Sequence, residues 1–190
     1  MHQAVQRESK AARDSAGILD ASTLGKIDIQ GTDASEFLNR VYTNAWSKLA
    51  IGKCRYGLML NEDGMVYDDG VTTRLDENHY IMTTTTGGAA TVLGKLEDYL
   101  QTEWPELDVY LTSVTDHYAT VSVCGPNSKK IVSQVIPDLD FSDENFPHMS
   151  FKNAKIGSIK CRVMRISFTG EHSYEINLSL IHISEPTRRY

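Results

Sequence analysis

The adjacent acids Asp68 and Asp69 are the residues of this sequence with the clearest potential for chemistry. They fall in the run Met65–Gly70, inside an otherwise apolar strand pattern, and successive side chains of a strand point to opposite faces. One of the two carboxylates is therefore expected to be buried. Burial raises the pKa of a carboxyl group, which can then take or hold a proton near neutral pH. The alternative is that one Asp bonds local backbone and the other is solvated.

A second candidate is the run Thr83–Gly88, which lies between a predicted strand and a predicted helix. Hydroxyl groups and free amides at a helix N-terminus can receive an anionic or amide-bearing ligand. The run has no Lys and no longer glycine pattern, so it is not a phosphate loop. A strand end followed by helix-capping residues is the alternative.

A third candidate is the segment from Phe168 to Glu175, which is typical of a tight turn leading into a strand. Both end residues could border a pocket. If Glu175 points inward it needs donors, because an unpaired buried carboxylate is costly, and a ring with adjacent N–H groups would supply them. A salt bridge with Arg165 and a solvated strand position are the alternatives.

The elements that position these residues are predicted from hydrophobic periodicity. Alternation predicts strands over 18–21 and 24–29, and the turn Asn61–Gly64 between apolar runs predicts a β-hairpin whose second strand reaches about residue 75. Further strands are predicted over 80–85, 109–111, 119–123, 156–157, 161–166 and 174–176, and helices over 2–16, 33–42, 89–102 and 127–135. No regular strand-helix-strand repeat occurs, which predicts an α+β fold with antiparallel sheets and packed helices.

Composition excludes several classes of protein. The chain of 190 residues has 19 Lys plus Arg against 25 Asp plus Glu, a net charge of −6, which argues against nucleic-acid binding. Nowhere do 18 apolar residues run together, so the sequence predicts no membrane span, and a cytoplasmic protein is expected. The three Cys and six His show no metal-ligand spacing, so no metal site is expected.

Several segments in order resemble the aminomethyltransferase (glycine-cleavage T-protein) family, namely Gly17–Lys26, Arg55–Asp69 and Phe168–Glu171. Within it, the C-terminal folate-binding domain of the heterotetrameric sarcosine oxidase α subunit is the most similar branch, through Asp20–Leu24 and Leu100–Pro105 together with the threonine run. The resemblance covers residues 1–178. That range is expected to be the N-terminal, incomplete part of the domain, and the tail 179–190 is expected to be non-native.

The resemblance implies a reaction and a set of site residues. Tetrahydrofolate would capture the one-carbon unit from oxidative demethylation of sarcosine, giving 5,10-methylenetetrahydrofolate. Asp69 would be the catalytic residue that moves a proton beside the reacting nitrogens. The residues implied in folate binding are Leu24, Tyr56, Thr84, Phe168 and Glu175.

The resemblance also implies cofactors and partners beyond this chain. Flavin and NAD are expected only in other segments or subunits of the parent protein, and the partners are the other subunits of a hetero-oligomeric sarcosine oxidase. Two departures weaken the folate pocket: Met149 stands where T-proteins tend to have an aromatic residue, and Thr84 where they tend to have Asn. A later Arg that helps to hold folate in the family lies beyond this chain, so the fragment alone is expected to be inactive.

Two other functions stay open. One is a glycine-cleavage aminomethyltransferase that acts on a lipoyl-bound aminomethyl group. The other is a folate-binding or scaffold module without catalysis.

Overall fold

A computed structural model describes residues 2–180 of the chain. Its α-helices are α1 (His2–Asp14), α2 (Ala34–Val41), α3 (Ala89–Asp98) and α4 (Ser128–Val135). Its strands are β1 (Gly17–Asp20), β2 (Gly25–Gln30), β3 (Cys54–Leu60), β4 (Val66–Asp76), β5 (His79–Thr84), β6 (Tyr110–Ser113), β7 (Tyr118–Cys124), β8 (Ser150–Ile156), β9 (Ile159–Arg165) and β10 (Ser173–Ser179). All sheet pairings are antiparallel. The predicted α+β class is confirmed.

The chain divides into two compact units. The first unit combines the chain up to Ser22 with the chain from Asp116 onward, and the second unit is the continuous segment Thr23–Thr115. Of the predicted tail 179–190, Ser179 is the last residue of β10, and residues 181–190 lie outside the described residues. None of the helices between residues 2 and 180 has the length and apolar character needed to cross a bilayer.

The second unit contains a five-stranded sheet with the order β3-β4-β5-β2-β6. Helix α2 contributes Ala34, Phe37 and Leu38 to the core. Residues three and four positions apart lie on the same face of a helix, so these side chains form its apolar face. Helix α3 contributes Val92 and Leu96 in the same way. These side chains form one core with residues of the sheet and its loops, including Ile27, Ile29, Tyr42, Trp46, Met59, Tyr80 and Met82.

The helix predicted over 89–102 changes its form before it ends. Regular α-helical bonding stops at Asp98, and Tyr99–Glu103 continue as one π-helical turn closed by the bond from the Trp104 amide to the Tyr99 carbonyl, 2.9 Å. The Trp104 ring then packs edge-on against Phe37, with ring centroids 6.1 Å apart. Packing of this ring against the core accompanies the change, which helical periodicity alone does not encode.

The first unit contains the other sheet, ordered β1-β7-β10-β9-β8, with α4 packed on one face. Strand β10 directs Tyr174 and Ile176 into the core on that face and Glu175 and Asn177 to the opposite face, and all four residues are buried. Strand β8 is longer than the predicted pair 156–157. Its exposed residues include Lys152, Asn153 and Lys155, a polar composition typical of an edge strand, which hides the period-2 signal.

Candidate functional site

The hairpin of β3 and β4 brings Tyr56 and Asp69 together. Leu58 lies opposite Asp69 in the register, so Tyr56, two residues before Leu58, is the diagonal neighbour of Asp69 on the same face. The Tyr56 hydroxyl donates a hydrogen bond to Asp69 Oδ2 at 2.8 Å. Asp69 is half-buried, and 49% of the Tyr56 surface is exposed. The pair is therefore a carboxylate beside an accessible aromatic ring.

Asp68 lies on the opposite face of β4, next to the core. It stands opposite the fully buried Met59 and is itself 5% exposed. Its carboxylate accepts hydrogen bonds from the Thr85 hydroxyl at 2.5 Å and from the Thr85 amide at 3.2 Å. The expectation that one acid of the pair is buried is confirmed for Asp68, and its partner Thr85 lies 17 residues away in the sequence, so these bonds are not local.

The β3–β4 hairpin contains a register shift directly before Asp68 and Asp69. Met59 pairs with Asp68, whereas Leu60 pairs with Val66, so Tyr67 is an extra residue in β4 and forms a β-bulge. A bulge of this kind bends a strand and redirects the side chains beside it. Here it directly precedes the two acids, at a place that the sequence pattern does not mark.

The loop between β5 and α3 is hydrogen-bonded to Asp68 through Thr85. The Gly88 amide donates to the Thr85 hydroxyl at 3.1 Å, and a Cβ atom on Gly88 would lie 2.5 Å from Asp68 Oδ1. A side chain at position 88 would therefore have to displace the Asp68 carboxylate or the Thr85 hydroxyl. The threonine run therefore matches the interpretation of a strand end followed by helix-capping residues, because Thr85 is engaged by Asp68 and precedes α3.

The electrostatic effect of the acids is visible in two tyrosines. The hydrogen bond to the Asp69 carboxylate is the main cause that raises the pKa of Tyr56, followed by desolvation and by the negative charges of Asp69 and Asp68. Burial is the main cause that raises the pKa of Tyr42, and the charges of both acids add to it. Tyr42 is 5% exposed and was not among the predicted site residues, since its sequence context is that of an ordinary core aromatic.

Leu24 and Thr84, two further predicted site residues, lie at neighbouring strand ends of the second unit. Gly25 of β2 is paired with Thr84 of β5, and the preceding Leu24 is half-buried. The Leu24 carbonyl accepts a hydrogen bond from the Lys26 ammonium at 2.9 Å. Thr84 is 2% exposed, and its hydroxyl donates to the Thr85 carbonyl at 3.0 Å. Thr84 therefore takes part in local structure through its hydroxyl.

The remaining two predicted site residues belong to the first unit. Phe168 follows β9 and is 88% exposed. Glu175 of β10 is 8% exposed and lies between Ser122 of β7 and Met164 of β9 in the register. The alternative of a solvated Glu175 is therefore wrong. Arg165, its other suggested partner, contacts Asp143 Oδ1 at 2.7 Å and the Phe146 carbonyl at 2.6 Å.

Each unit, taken by itself, contains a carboxylate and an accessible aromatic ring among the predicted site residues. The pterin of tetrahydrofolate presents N–H donors at its edge and a flat ring face. Asp69 and Glu175 are carboxylates that can accept such hydrogen bonds, and Tyr56 and Phe168 carry accessible aromatic rings.

The model of the GCVT N-terminal domain matches residues 1–185 of the chain. This chain belongs to the GCVT N-terminal domain family. The predicted family is thereby confirmed.

Two known relatives are longer proteins that contain a segment similar to this chain. The sarcosine oxidase subunit alpha of Corynebacterium sp. (strain U-96) is 55% identical over 183 residues, which are 96% of this chain and 19% of that protein. The aminomethyltransferase of Listeria monocytogenes serotype 4a (strain HCC23) is 31% identical over 177 residues, 90% of this chain and 46% of that protein. The chain thus spans less than a fifth of the first relative and less than half of the second.

A solved structure shares the fold. The crystal structure of glycine cleavage system aminomethyltransferase T from Bartonella henselae superposes with a TM-score of 0.78 at 24% identity, covering 92% of this chain and 45% of that one. The predicted aminomethyltransferase fold is confirmed for this GCVT domain.

Proposed function

We propose that this GCVT domain serves folate-dependent one-carbon transfer as part of a sarcosine oxidase α subunit, with residues 1–178 as the N-terminal part of the folate-binding domain. Tetrahydrofolate would capture the one-carbon unit from oxidative demethylation of sarcosine, giving 5,10-methylenetetrahydrofolate. The identity of 55% to a sarcosine oxidase subunit, against 31% to an aminomethyltransferase, supports the oxidase branch. The proposed partners are the other subunits of that enzyme, and flavin and NAD belong to other segments or subunits.

The observation that carries this proposal is the Tyr56–Asp69 pair. The hydroxyl of Tyr56 holds Asp69 Oδ2 at 2.8 Å, on a half-buried part of the strand. A carboxylate has about four lone-pair sites, so one bond from Tyr56 leaves capacity for a further N–H donor. A positioned carboxylate of this kind can take a proton from a nitrogen and return it.

The other proposed site residues bind rather than react. Tetrahydrofolate supplies the nucleophilic nitrogens that receive the one-carbon unit. Glu175 accepts hydrogen bonds from the pterin amino and ring N–H groups. The hydrophobic and aromatic contacts come from Leu24, Tyr56 and Phe168, and Thr84 supports the middle of the ligand through its place at the end of β5.

Calorimetric titration of the full chain with tetrahydrofolate tests the binding part of the proposal. We expect saturable binding, weakened about tenfold or more by Glu175→Gln, because the substitution removes a charged hydrogen-bond acceptor. Asp69→Asn should change the affinity less than Glu175→Gln, since Asp69 is assigned to proton transfer. Asp63→Asn, at an exposed acid in the same hairpin turn, is the matched control and should bind as the unaltered chain does.

Two results would contradict the binding assignment. The first is the absence of tetrahydrofolate binding by a chain whose circular dichroism shows it folded. The second is equal affinity of the unaltered chain and Glu175→Gln.

A glycine-cleavage aminomethyltransferase is the second candidate, and the 31% identity to the Listeria aminomethyltransferase supports it. Such an enzyme acts on an aminomethyl group held by a lipoylated carrier protein. Binding of a lipoylated carrier by this chain would support that candidate, and its absence together with folate binding would support the oxidase branch. A folate-binding or scaffold module without catalysis is the third candidate, and for that candidate Asp69→Asn would leave the 5,10-methylenetetrahydrofolate yield of the parent complex unchanged.

A further inference from the structure

Strand β3, which carries Tyr56, is an edge strand of its sheet, and residues 42–44 lie along its outer side. The Thr43 amide donates a hydrogen bond to the Leu58 carbonyl at 3.1 Å, as the backbone of a neighbouring strand would. The next bond along this edge comes from a side chain, because Nδ2 of Asn44 donates to the Tyr56 carbonyl at 2.5 Å. The Asn44 amide therefore takes the place of a backbone donor at Tyr56.

The peptide group that Asn44 holds lies at a weakly supported place in the hairpin. Gly57 is paired with Gly70, so no side chains meet across the strands in the row between Tyr56 and Asp69. Glycine also has the greatest backbone freedom of any residue. The Tyr56 carbonyl belongs to the planar peptide group that joins Tyr56 to Gly57. A hydrogen bond to this oxygen therefore restrains the backbone from which the Tyr56 ring projects.

The segment that presents Asn44 is fixed at both ends by helix α2. The Tyr42 amide donates to the Leu38 carbonyl at 2.9 Å, and the Trp46 amide donates to Oδ1 of Asn39 at 2.6 Å. Tyr42 and Trp46 are both buried in the core. Because its backbone is already fixed, Asn44 loses less conformational entropy on binding β3 than a side chain on a free loop would.

We propose that Asn44 is a positioning residue for the Tyr56–Asp69 pair. Its amide fixes the peptide group after Tyr56, which directs the Tyr56 ring so that its hydroxyl holds Asp69 Oδ2. Asn44 acts through Tyr56 and takes no part in the proton transfer itself. This role rests on the proposed function, in which Asp69 moves the proton.

Phenol titration of the full chain tests the proposal without any ligand. The Tyr56 transition is the difference in tyrosinate absorbance between each chain and its Tyr56→Phe counterpart. We expect Asn44→Ala to lower the Tyr56 pKa by about half or more of the change that Asp69→Asn produces, because both variants weaken the bond to the carboxylate. Asn44→Leu, which has a similar volume and no donor, should act in the same way.

The matched control is Thr43→Ala. It alters an exposed side chain of the same segment and keeps the main-chain amide that bonds to β3, so the Tyr56 pKa should stay in place. Circular dichroism over the same pH range confirms that each variant is folded.

A double variant separates positioning from a general loosening of the hairpin. Residues that act through one bond give non-additive effects. In a chain that already carries Asp69→Asn, the carboxylate is absent, so adding Asn44→Ala should shift the Tyr56 pKa by about a quarter or less of its effect in the unaltered chain.

Two results would overturn the proposal. One is an unchanged Tyr56 pKa in folded Asn44→Ala and Asn44→Leu, and the other is an equal shift with and without the Asp69 carboxylate. Because the titration contains no folate, its outcome is independent of tetrahydrofolate binding, which tests the proposed function separately.

Discussion

At the scale of single residues, Asp68 and Asp69 show how neighbours of the same type acquire different environments. Asp68 faces the core and is held by the hydroxyl and amide of Thr85. Asp69 faces the opposite side of the sheet. Its Oδ2 atom accepts a hydrogen bond from the Tyr56 hydroxyl. The first carboxylate organises the loop before α3, and the second has the accessibility that proton transfer to a ligand requires.

The hydrogen bond between Tyr56 and Asp69 predicts a change in phenol titration. Because the Asp69 carboxylate is the main cause of the raised Tyr56 pKa, Asp69→Asn should lower that pKa toward its ordinary value of 10.0. The Tyr56 transition is obtained from tyrosinate absorbance as the difference between each chain and its Tyr56→Phe counterpart. Asp63→Asn is the control and should leave the transition in place. Identical Tyr56 curves with and without the Asp69 carboxylate would exclude the bond in solution.

At the scale of elements, close packing of the strands depends on glycine. A Cβ atom on Gly70 of β4 would lie 1.8 Å from the Thr83 carbonyl oxygen of β5, so β4 and β5 would have to separate. Gly94 in α3 offers the opposite case, because a Cβ atom there meets no atom within 4 Å.

These two glycines predict opposite effects of the same substitution. Gly70→Ala should lower the free energy of unfolding by about 1–3 kcal/mol, the usual range for overpacking. Gly94→Ala should raise it by about 0.5–1 kcal/mol, because alanine loses less conformational entropy in a helix. Urea denaturation of both variants measures the effects. A Gly70→Ala variant as stable as the unaltered chain would show that the strands do not pack this closely.

The sequence predicted the elements whose side chains alternate clearly. The β3–β4 hairpin and helices α2 and α4 lie within one or two residues of the expected bounds. The bulge at Tyr67 and the π-helical turn Tyr99–Glu103 were missed, since hydrophobic periodicity marks neither an extra residue in a strand nor a change of helix type. For the site, alternation predicted that one acid is buried, but which one depends on how β4 packs on the core.

At the scale of the whole molecule, His172 links pH to stability. Desolvation, followed by the charge of Arg165, lowers the pKa of His172, and Lys129 and His148 act in the same direction while Asp143 opposes them. Below the ordinary His value of 6.5 the unfolded chain therefore binds a proton first, and stability falls as pH decreases from there. The effect should be under about 1 kcal/mol, because solvent screens a group this exposed.

Urea denaturation of the unaltered chain and of His172→Gln measures how much His172 changes the free energy of unfolding with pH. The measurements are made at pH 7.5 and 5.5, about one unit either side of the ordinary His pKa. We expect the unaltered chain to lose more stability than His172→Gln between the two conditions. An equal loss in both proteins would show that His172 carries no pH dependence.

Membership of the GCVT family and the length of the relatives together determine where the reaction must be tested. The chain matches 19% of the Corynebacterium sarcosine oxidase subunit, so the proposed reaction is best measured with this segment inside a complete subunit. A chimera in which this chain replaces the matching 183-residue segment of that subunit places Asp69 in a complete enzyme. Sarcosine consumption by the chimera reports whether the oxidase is intact.

The central measurement is the amount of 5,10-methylenetetrahydrofolate formed per sarcosine oxidised by this chimera in the presence of tetrahydrofolate. We expect Asp69→Asn to lower this ratio about a hundredfold, the lower end of the contribution of a general acid or base, while sarcosine consumption and tetrahydrofolate affinity are retained. Asp63→Asn should leave the ratio unchanged. An unchanged ratio in Asp69→Asn would contradict the proton-transfer role on which the proposed function rests.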